Sequence, residues 1–138
     1  MAKLRIFIAC EDKRLRIGLL LLLDQEPDMV VTGITDQLTE LLPQLETTKP
    51  DVLVLEWKQS LQSTIDLLNE LNDVKHSPKV VFLSKNPLDE EAVLAAGADH
   101  YICENAPPDT LLPILRRYAT PFTDMYVQNA ENNENSSL

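Results

Sequence analysis

The stretch Asp51–Val52–Leu53–Val54–Leu55–Glu56–Trp57 (DVLVLEW) places four consecutive apolar residues directly before a carboxylate. A run this short and this apolar is typical of a strand buried on both faces, which indicates a parallel sheet with helices on each side. Open α/β sheets carry their functional sites at the carboxyl ends of the strands. Because Glu56 ends the predicted strand, we expect its carboxylate to lie at that edge of the sheet.

Short apolar runs alternate with amphipathic segments along most of the chain. The pattern predicts strands over 4–9, 29–34, 52–56, 79–83 and 99–103, and helices over 13–25, 39–48, 62–74, 88–96 and 109–118. Five strands alternating with five helices indicate a doubly wound α/β domain over residues 1–120. Residues 121–138 are predicted to be a polar, disordered C-terminal tail, because their last part (QNAENNENSSL) has almost no large apolar side chains.

Composition excludes several classes of partner. The 138 residues carry a net charge of −10, which argues against binding nucleic acid or an acidic membrane surface. The longest apolar run, Leu19–Leu23, is far too short to span a bilayer.

Cys10 and Cys103 form no zinc or disulfide pattern, so we interpret them as reduced thiols of a cytoplasmic protein.

Four stretches of the chain form a recognisable set: LRIFIA (4–9) with RIGL (16–19), PDVLVLE (50–56), VVFLS (80–84), and AGADHY (96–101) with APP (106–108). Together they resemble the receiver domain of two-component response regulators, over residues 4–119. The resemblance is closest to receivers that carry a helix-turn-helix output. It implies phosphorelay signal transduction and a flavodoxin-like five-stranded parallel sheet of order 2-1-3-4-5 with helices on both faces.

In that family an aspartate at the end of the third strand accepts a phosphoryl group, and two acidic residues after the first strand help it to hold Mg²⁺. The resemblance places Glu56 at the phosphoacceptor position. The paired acids fall on Cys10 and Glu11, with Asp12 one place later. We call Cys10, Glu11, Asp12 and Glu56 the acidic pocket.

Three further positions follow from the resemblance. Ser84 and Tyr101 are the equivalents of the hydroxyl and aromatic switch residues, and both residue types agree with the family. The lysine that contacts the phosphoryl group in the family is replaced by Glu104. A metal ligand supplied by a backbone carbonyl in the family would fall on Lys58.

These departures bear directly on phosphorylation. A receiver neutralises the transferred phosphoryl group with Mg²⁺ and a lysine, and Glu104 reverses the sign of the second contact. Glu56 is one methylene longer than aspartate, which misplaces its oxygens by about 1 Å. We therefore interpret the chain as a stand-alone pseudo-receiver. It would be no enzyme and need no cofactor, and it would bind an unidentified protein or form a homodimer through the fourth helix, fifth strand and fifth helix.

Two alternatives stay open. The first is a working single-domain response regulator that accepts a phosphoryl group at Glu56 or a neighbouring aspartate. The second is a divalent-cation sensor, in which Glu11, Asp12, Glu56 and the Lys58 carbonyl bind a residual Mg²⁺ or Ca²⁺. Crowded carboxylates repel one another unless a cation enters. Without a bound cation, the sequence therefore predicts that Glu56→Gln is neutral or slightly stabilising, whereas a bound cation predicts that it destabilises the chain.

Overall fold

Strands and helices alternate along the chain as its apolar pattern predicts. The structure, a computed structural model, describes residues 3–58, 60–85, 89–103 and 110–119. Glu104 and the tail over 121–138 lie outside these ranges. The elements are β1 Leu4–Cys10, α1 Lys13–Asp24, β2 Met29–Thr35, a 3₁₀ turn Leu38–Glu40, α2 Leu41–Thr48, β3 Val52–Glu56, α3 Leu61–Asn72, β4 Lys79–Ser84, α4 Glu90–Ala95, β5 His100–Cys103 and α5 Leu111–Ala119.

The five strands form one parallel sheet of order β2-β1-β3-β4-β5, which confirms the predicted fold class and strand order. In the register of the central strands, Cys10 of β1 lies beside Glu56 of β3, which lies beside Leu83 of β4. β1 and β3 therefore end at the same level, and β4 ends one residue further along, at Ser84. This alignment brings the residues that follow β1 and β3 to the same edge of the sheet.

Helices cover the sheet on both faces, and alternate residues of β3 belong to two separate apolar clusters. Val52 and Val54 pack in the cluster that includes residues of α1 and α5, whereas Leu53 and Leu55 pack in the cluster of α2 and α3. Because side chains alternate along a strand, Glu56 continues the row of Val52 and Val54. Its carboxylate consequently lies on the face that α1 covers.

Helix lengths differ from the predicted ones mainly in α4. The pattern predicts a helix over 88–96, whereas α4 has six residues, Glu90–Ala95. Gly97 follows it with φ +127°, a backbone conformation that favours glycine and ends the helix. Within the described ranges, none of the helices combines the length and the apolar character that crossing a membrane requires.

Candidate functional site

The carboxylate of Glu56 is enclosed by the turn between β1 and α1. Its side chain is 1% exposed. Oε1 accepts hydrogen bonds from the backbone N–H of Glu11 at 2.9 Å, the backbone N–H of Asp12 at 3.2 Å and the thiol of Cys10 at 3.3 Å. Three donors converge on one oxygen, and hydrogen bonds to a charged oxygen are stronger than those between neutral groups.

The second oxygen, Oε2, has a different environment. It is buried and accepts no hydrogen bond from the described residues. The ammonium group of Lys58 lies 4.0 Å from it and 3.2 Å from Oδ2 of Asp12. Lys58 therefore places a positive charge between two carboxylates. The resemblance had assigned only its backbone carbonyl a role.

Glu11 and Asp12 bind protein donors with their carboxylates. Oε1 of Glu11 accepts a hydrogen bond from the backbone N–H of Lys58 at 2.6 Å. Oδ1 of Asp12 caps α1 by accepting from the N–H groups of Arg14 and Leu15 at 2.9 and 3.1 Å. The hydrogen bond from Leu15, followed by that from the Lys58 ammonium, lowers the pKa of Asp12. Asp12 is therefore a carboxylate at neutral pH.

Cys10 holds its proton in this environment. Burial, followed by the negative charge of Glu56 and the hydrogen bond to it, raises the pKa of the Cys10 thiol to about 12. The reactive form of cysteine is the thiolate. Cys10 is consequently a hydrogen-bond donor to Glu56 at neutral pH.

Arg16 of α1 contacts both the end of β1 and the segment after β2. Its guanidinium donates to the carbonyl oxygen of Cys10 at 2.9 Å and approaches the carboxylate of Asp36, after β2, at 4.0 Å. In the sequence, Arg16 contributes only to the resemblance, as the first residue of RIGL (16–19). The signal for its role is its position one helical turn after Asp12, which directs a long side chain back towards the end of β1.

The three carboxylates predicted to bind a metal ion are brought together, and one oxygen of each accepts hydrogen bonds from backbone N–H groups. Glu11, Asp12 and Glu56 all contact Lys58, either its backbone N–H or its ammonium group. Among the described residues, no group of three or more His, Cys, Asp or Glu side chains is arranged to hold a metal ion. In this arrangement the three carboxylates are oriented towards Lys58.

The two residues predicted as switch positions lie on neighbouring strands: Ser84 ends β4, and Tyr101 is the second residue of β5 and pairs with Phe82. The ring of Tyr101 stacks on that of Phe82, with centroids 5.9 Å apart. Burial raises the pKa of the Tyr101 hydroxyl, and a side-chain hydrogen bond with Ser84 acts in the opposite direction. The predicted pair therefore interacts directly. Glu104, which the resemblance places at the lysine position, lies outside the described residues.

A histidine–tyrosine pair joins β5 to α5. Nε2 of His100 and the hydroxyl of Tyr118 are 2.8 Å apart, and the rings meet edge-on at 74°. Burial, followed by the positive charge of Arg117, lowers the pKa of His100. His100 is consequently neutral at physiological pH, and the pair is held by a hydrogen bond between uncharged groups.

Acid is expected to weaken the folded state through His100. Its pKa in the folded chain is below the unfolded value of about 6.5, so the unfolded chain binds more protons as the pH falls through that value. The stability contributed by neutral His100 is present above that pH and is lost below it. Urea unfolding across this range should show a smaller loss of stability in His100→Gln than in the wild type. If both chains lost the same stability on acidification, protonation of His100 would not be a cause of the acid effect.

Curated bacterial regulatory proteins match most of this chain. The nitrate/nitrite response regulator protein NarL of Escherichia coli (strain K12) is 26% identical over 116 residues, which are 83% of this chain and 54% of NarL. The uncharacterized transcriptional regulatory protein YvfU of Bacillus subtilis (strain 168) is 32% identical over 117 residues, which are 83% of this chain and 58% of YvfU. The chain thus spans a little over half the length of these relatives. No protein-family model matches it.

Solved receiver domains share the fold over nearly their whole length. The signal receiver domain of the response regulator NarL from Mycobacterium tuberculosis superposes with a TM-score of 0.76 at 16% identity, covering 86% of this chain and 98% of that one. The Francisella response regulator 1452 receiver domain gives 0.73 at 20% identity, with the same coverage. The homologues and structural neighbours of this chain are therefore response-regulator receiver domains, and the chain itself has the receiver fold.

Proposed function

We propose that this chain is a pseudo-receiver: a signalling module that binds a protein partner without being phosphorylated. The observation that carries the proposal is the environment of Glu56. An acceptor carboxylate must present a free oxygen in line with the phosphorus–oxygen bond that breaks. Oε1 of Glu56 instead accepts three hydrogen bonds from the β1–α1 turn, and the whole side chain is buried.

The charges around Glu56 also support this proposal. Phosphoryl transfer to a carboxylate requires positive charge beside the transferred group, which Mg²⁺ supplies in most phosphoryl-transfer proteins. Here the ammonium group of Lys58 lies beside Oε2 of Glu56 and is held by Asp12. Cys10, which stands in place of one acidic residue, keeps its proton. An acceptor already paired in this way is a poor nucleophile.

Exposed apolar side chains favour protein binding as the activity. Such residues on a folded surface mark contact regions when they cluster. Five of the seven large apolar side chains found exposed among the described residues lie on α1 and the edge strand β2, namely Ile17, Leu20, Leu21, Val30 and Ile34. This surface is separate from the α4–β5–α5 face that the resemblance implies for a partner or a homodimer. A protein-binding module therefore has two candidate surfaces.

Phosphorylation is tested directly by mass. Incubation of the chain with acetyl phosphate and Mg²⁺ should leave the intact mass unchanged, because the Glu56 side chain is buried and exposes neither oxygen to a phosphoryl donor. Intact-mass spectrometry provides the measurement. A stoichiometric gain of one phosphoryl group would support the alternative, a functional single-domain response regulator. If that gain also disappears in Glu56→Gln, the acceptor would be Glu56 itself.

A further inference from the structure

A single residue, Lys58, contacts every acidic side chain of the acidic pocket. Its backbone N–H donates to Oε1 of Glu11 at 2.6 Å. Its ammonium group lies 3.2 Å from Oδ2 of Asp12 and 4.0 Å from Oε2 of Glu56. The three carboxylates come from two different turns, after β1 and at the end of β3, and Lys58 is the common partner of all three.

The buried carboxylate of Glu56 is the reason that a positive charge is needed in the pocket. A buried carboxylate is costly unless hydrogen bonds or an opposite charge compensate it. Oε1 is compensated by its three donors, whereas Oε2 accepts no hydrogen bond from the described residues. The ammonium group of Lys58 is a positive charge placed beside that oxygen. It is half exposed, so it approaches Glu56 from the solvent side of the pocket.

We propose that the ammonium group of Lys58 is the resident cation of the acidic pocket and keeps divalent metal ions out of it. The inference rests on the proposed function, because only a chain that is not phosphorylated can do without Mg²⁺ in this pocket. Mg²⁺ requires oxygen ligands at 2.0–2.1 Å in octahedral geometry. A metal ion bound between Asp12 and Glu56 would meet the ammonium group in the same space, and the like charges repel.

The hydrogen bonds of Glu11 and Asp12 also oppose the binding of a metal ion. Glu11 would have to release the backbone N–H of Lys58 before it could bind a metal ion. Asp12 uses its other oxygen to cap α1, so its carboxylate cannot turn freely. A metal ion would therefore have to displace Lys58 from contacts with three residues. Removing the ammonium group removes the main obstacle and leaves the carboxylates in place.

The test is to replace Lys58 by a neutral side chain of similar length and to titrate with Mg²⁺. In chelator, Lys58→Met should melt below the wild type, because the charges of Asp12 and Glu56 lose their partner. Millimolar Mg²⁺ should then raise its melting temperature by about 4 °C at a tenfold excess over Kd. The wild-type melting temperature should not respond. Fluorescence of the neighbouring Trp57 reports binding independently of the melt.

Two control variants separate the local effect from net charge. Lys13→Met removes the same charge from an exposed residue at the start of α1, and it should respond to Mg²⁺ no more than the wild type. Lys58→Arg keeps a positive charge in the pocket and should also be unresponsive. An equal response of Lys13→Met and Lys58→Met would overturn the proposal, because net charge alone would explain it.

The wild type gives a decisive result even if Lys58→Met does not fold. Saturable Mg²⁺ binding by the wild type with millimolar or lower Kd, seen by calorimetry, would overturn the proposal and favour the cation sensor. A folded Lys58→Met that gains no Mg²⁺ response would overturn it as well. Neither result changes the mass measured after acetyl phosphate treatment, so this inference and the proposed function fail separately.

Discussion

Glu56→Gln is expected to lower the free energy of unfolding by about 2 kcal/mol at neutral pH in the presence of chelator. An amide oxygen can still accept from Glu11, Asp12 and Cys10, but hydrogen bonds to a neutral acceptor are weaker than those to a carboxylate. The amide NH₂ group would replace Oε2 and direct its donors towards the ammonium group of Lys58. Both changes destabilise the folded chain.

This expectation reverses the one drawn from the sequence, in which repulsion among carboxylates made Glu56→Gln neutral or slightly stabilising. The difference arises because the donors around Oε1 are backbone groups and a thiol, which no charge pattern reveals. Urea unfolding of the two chains measures the effect. The same substitution at Glu70, exposed on α3, is the control and should change stability by less than about 0.5 kcal/mol. A stabilised Glu56→Gln would show that repulsion dominates.

Gly33→Ala is expected to cost about 3 kcal/mol, at the upper end of the usual cost of overpacking. Gly33 of β2 lies opposite Phe7 of β1, where the ladder is irregular between Ile6 and Phe7. A Cβ atom at position 33 would lie 2.8 Å from Cδ2 of Phe7 and closer still to Cε2. Phe7 is completely buried, so its ring cannot move aside without disturbing the core cluster of α2 and α3.

The chain offers a matched control for this substitution. Gly18 lies exposed in α1, and a Cβ atom there would meet nothing within 4 Å. Gly18→Ala should therefore stabilise the chain by up to about 1 kcal/mol, because alanine is the better helix former. Denaturant unfolding midpoints of the two variants should move in opposite directions. A Gly33→Ala variant as stable as the wild type would mean that β2 shifts away from β1 at little cost.

The fold could be predicted from the sequence because its signals are local. The apolar run before Glu56 predicts a strand buried on both faces, and five such runs separated by helices leave few arrangements other than a doubly wound sheet. That fold already places the residues following β1 and β3 at one edge. The proximity of Glu11, Asp12 and Glu56 was therefore predictable without coordinates, and the structure brings them together.

The chemistry of that edge depends on tertiary structure. Because Cys10 pairs with Glu56 in the sheet, the backbone N–H groups of the turn after β1 point at Oε1. A one-residue shift in the register would turn the Glu56 side chain to the opposite face of the sheet. The side chain of Lys58 has many rotamers. Its contacts depend on where the fold places Asp12, more than forty residues earlier, and Glu56, at the end of β3. Sequence therefore determined which ionisable groups meet at this edge, whereas only the packed structure decided which of them are paired, because pairing depends on distances of a few ångströms between distant segments.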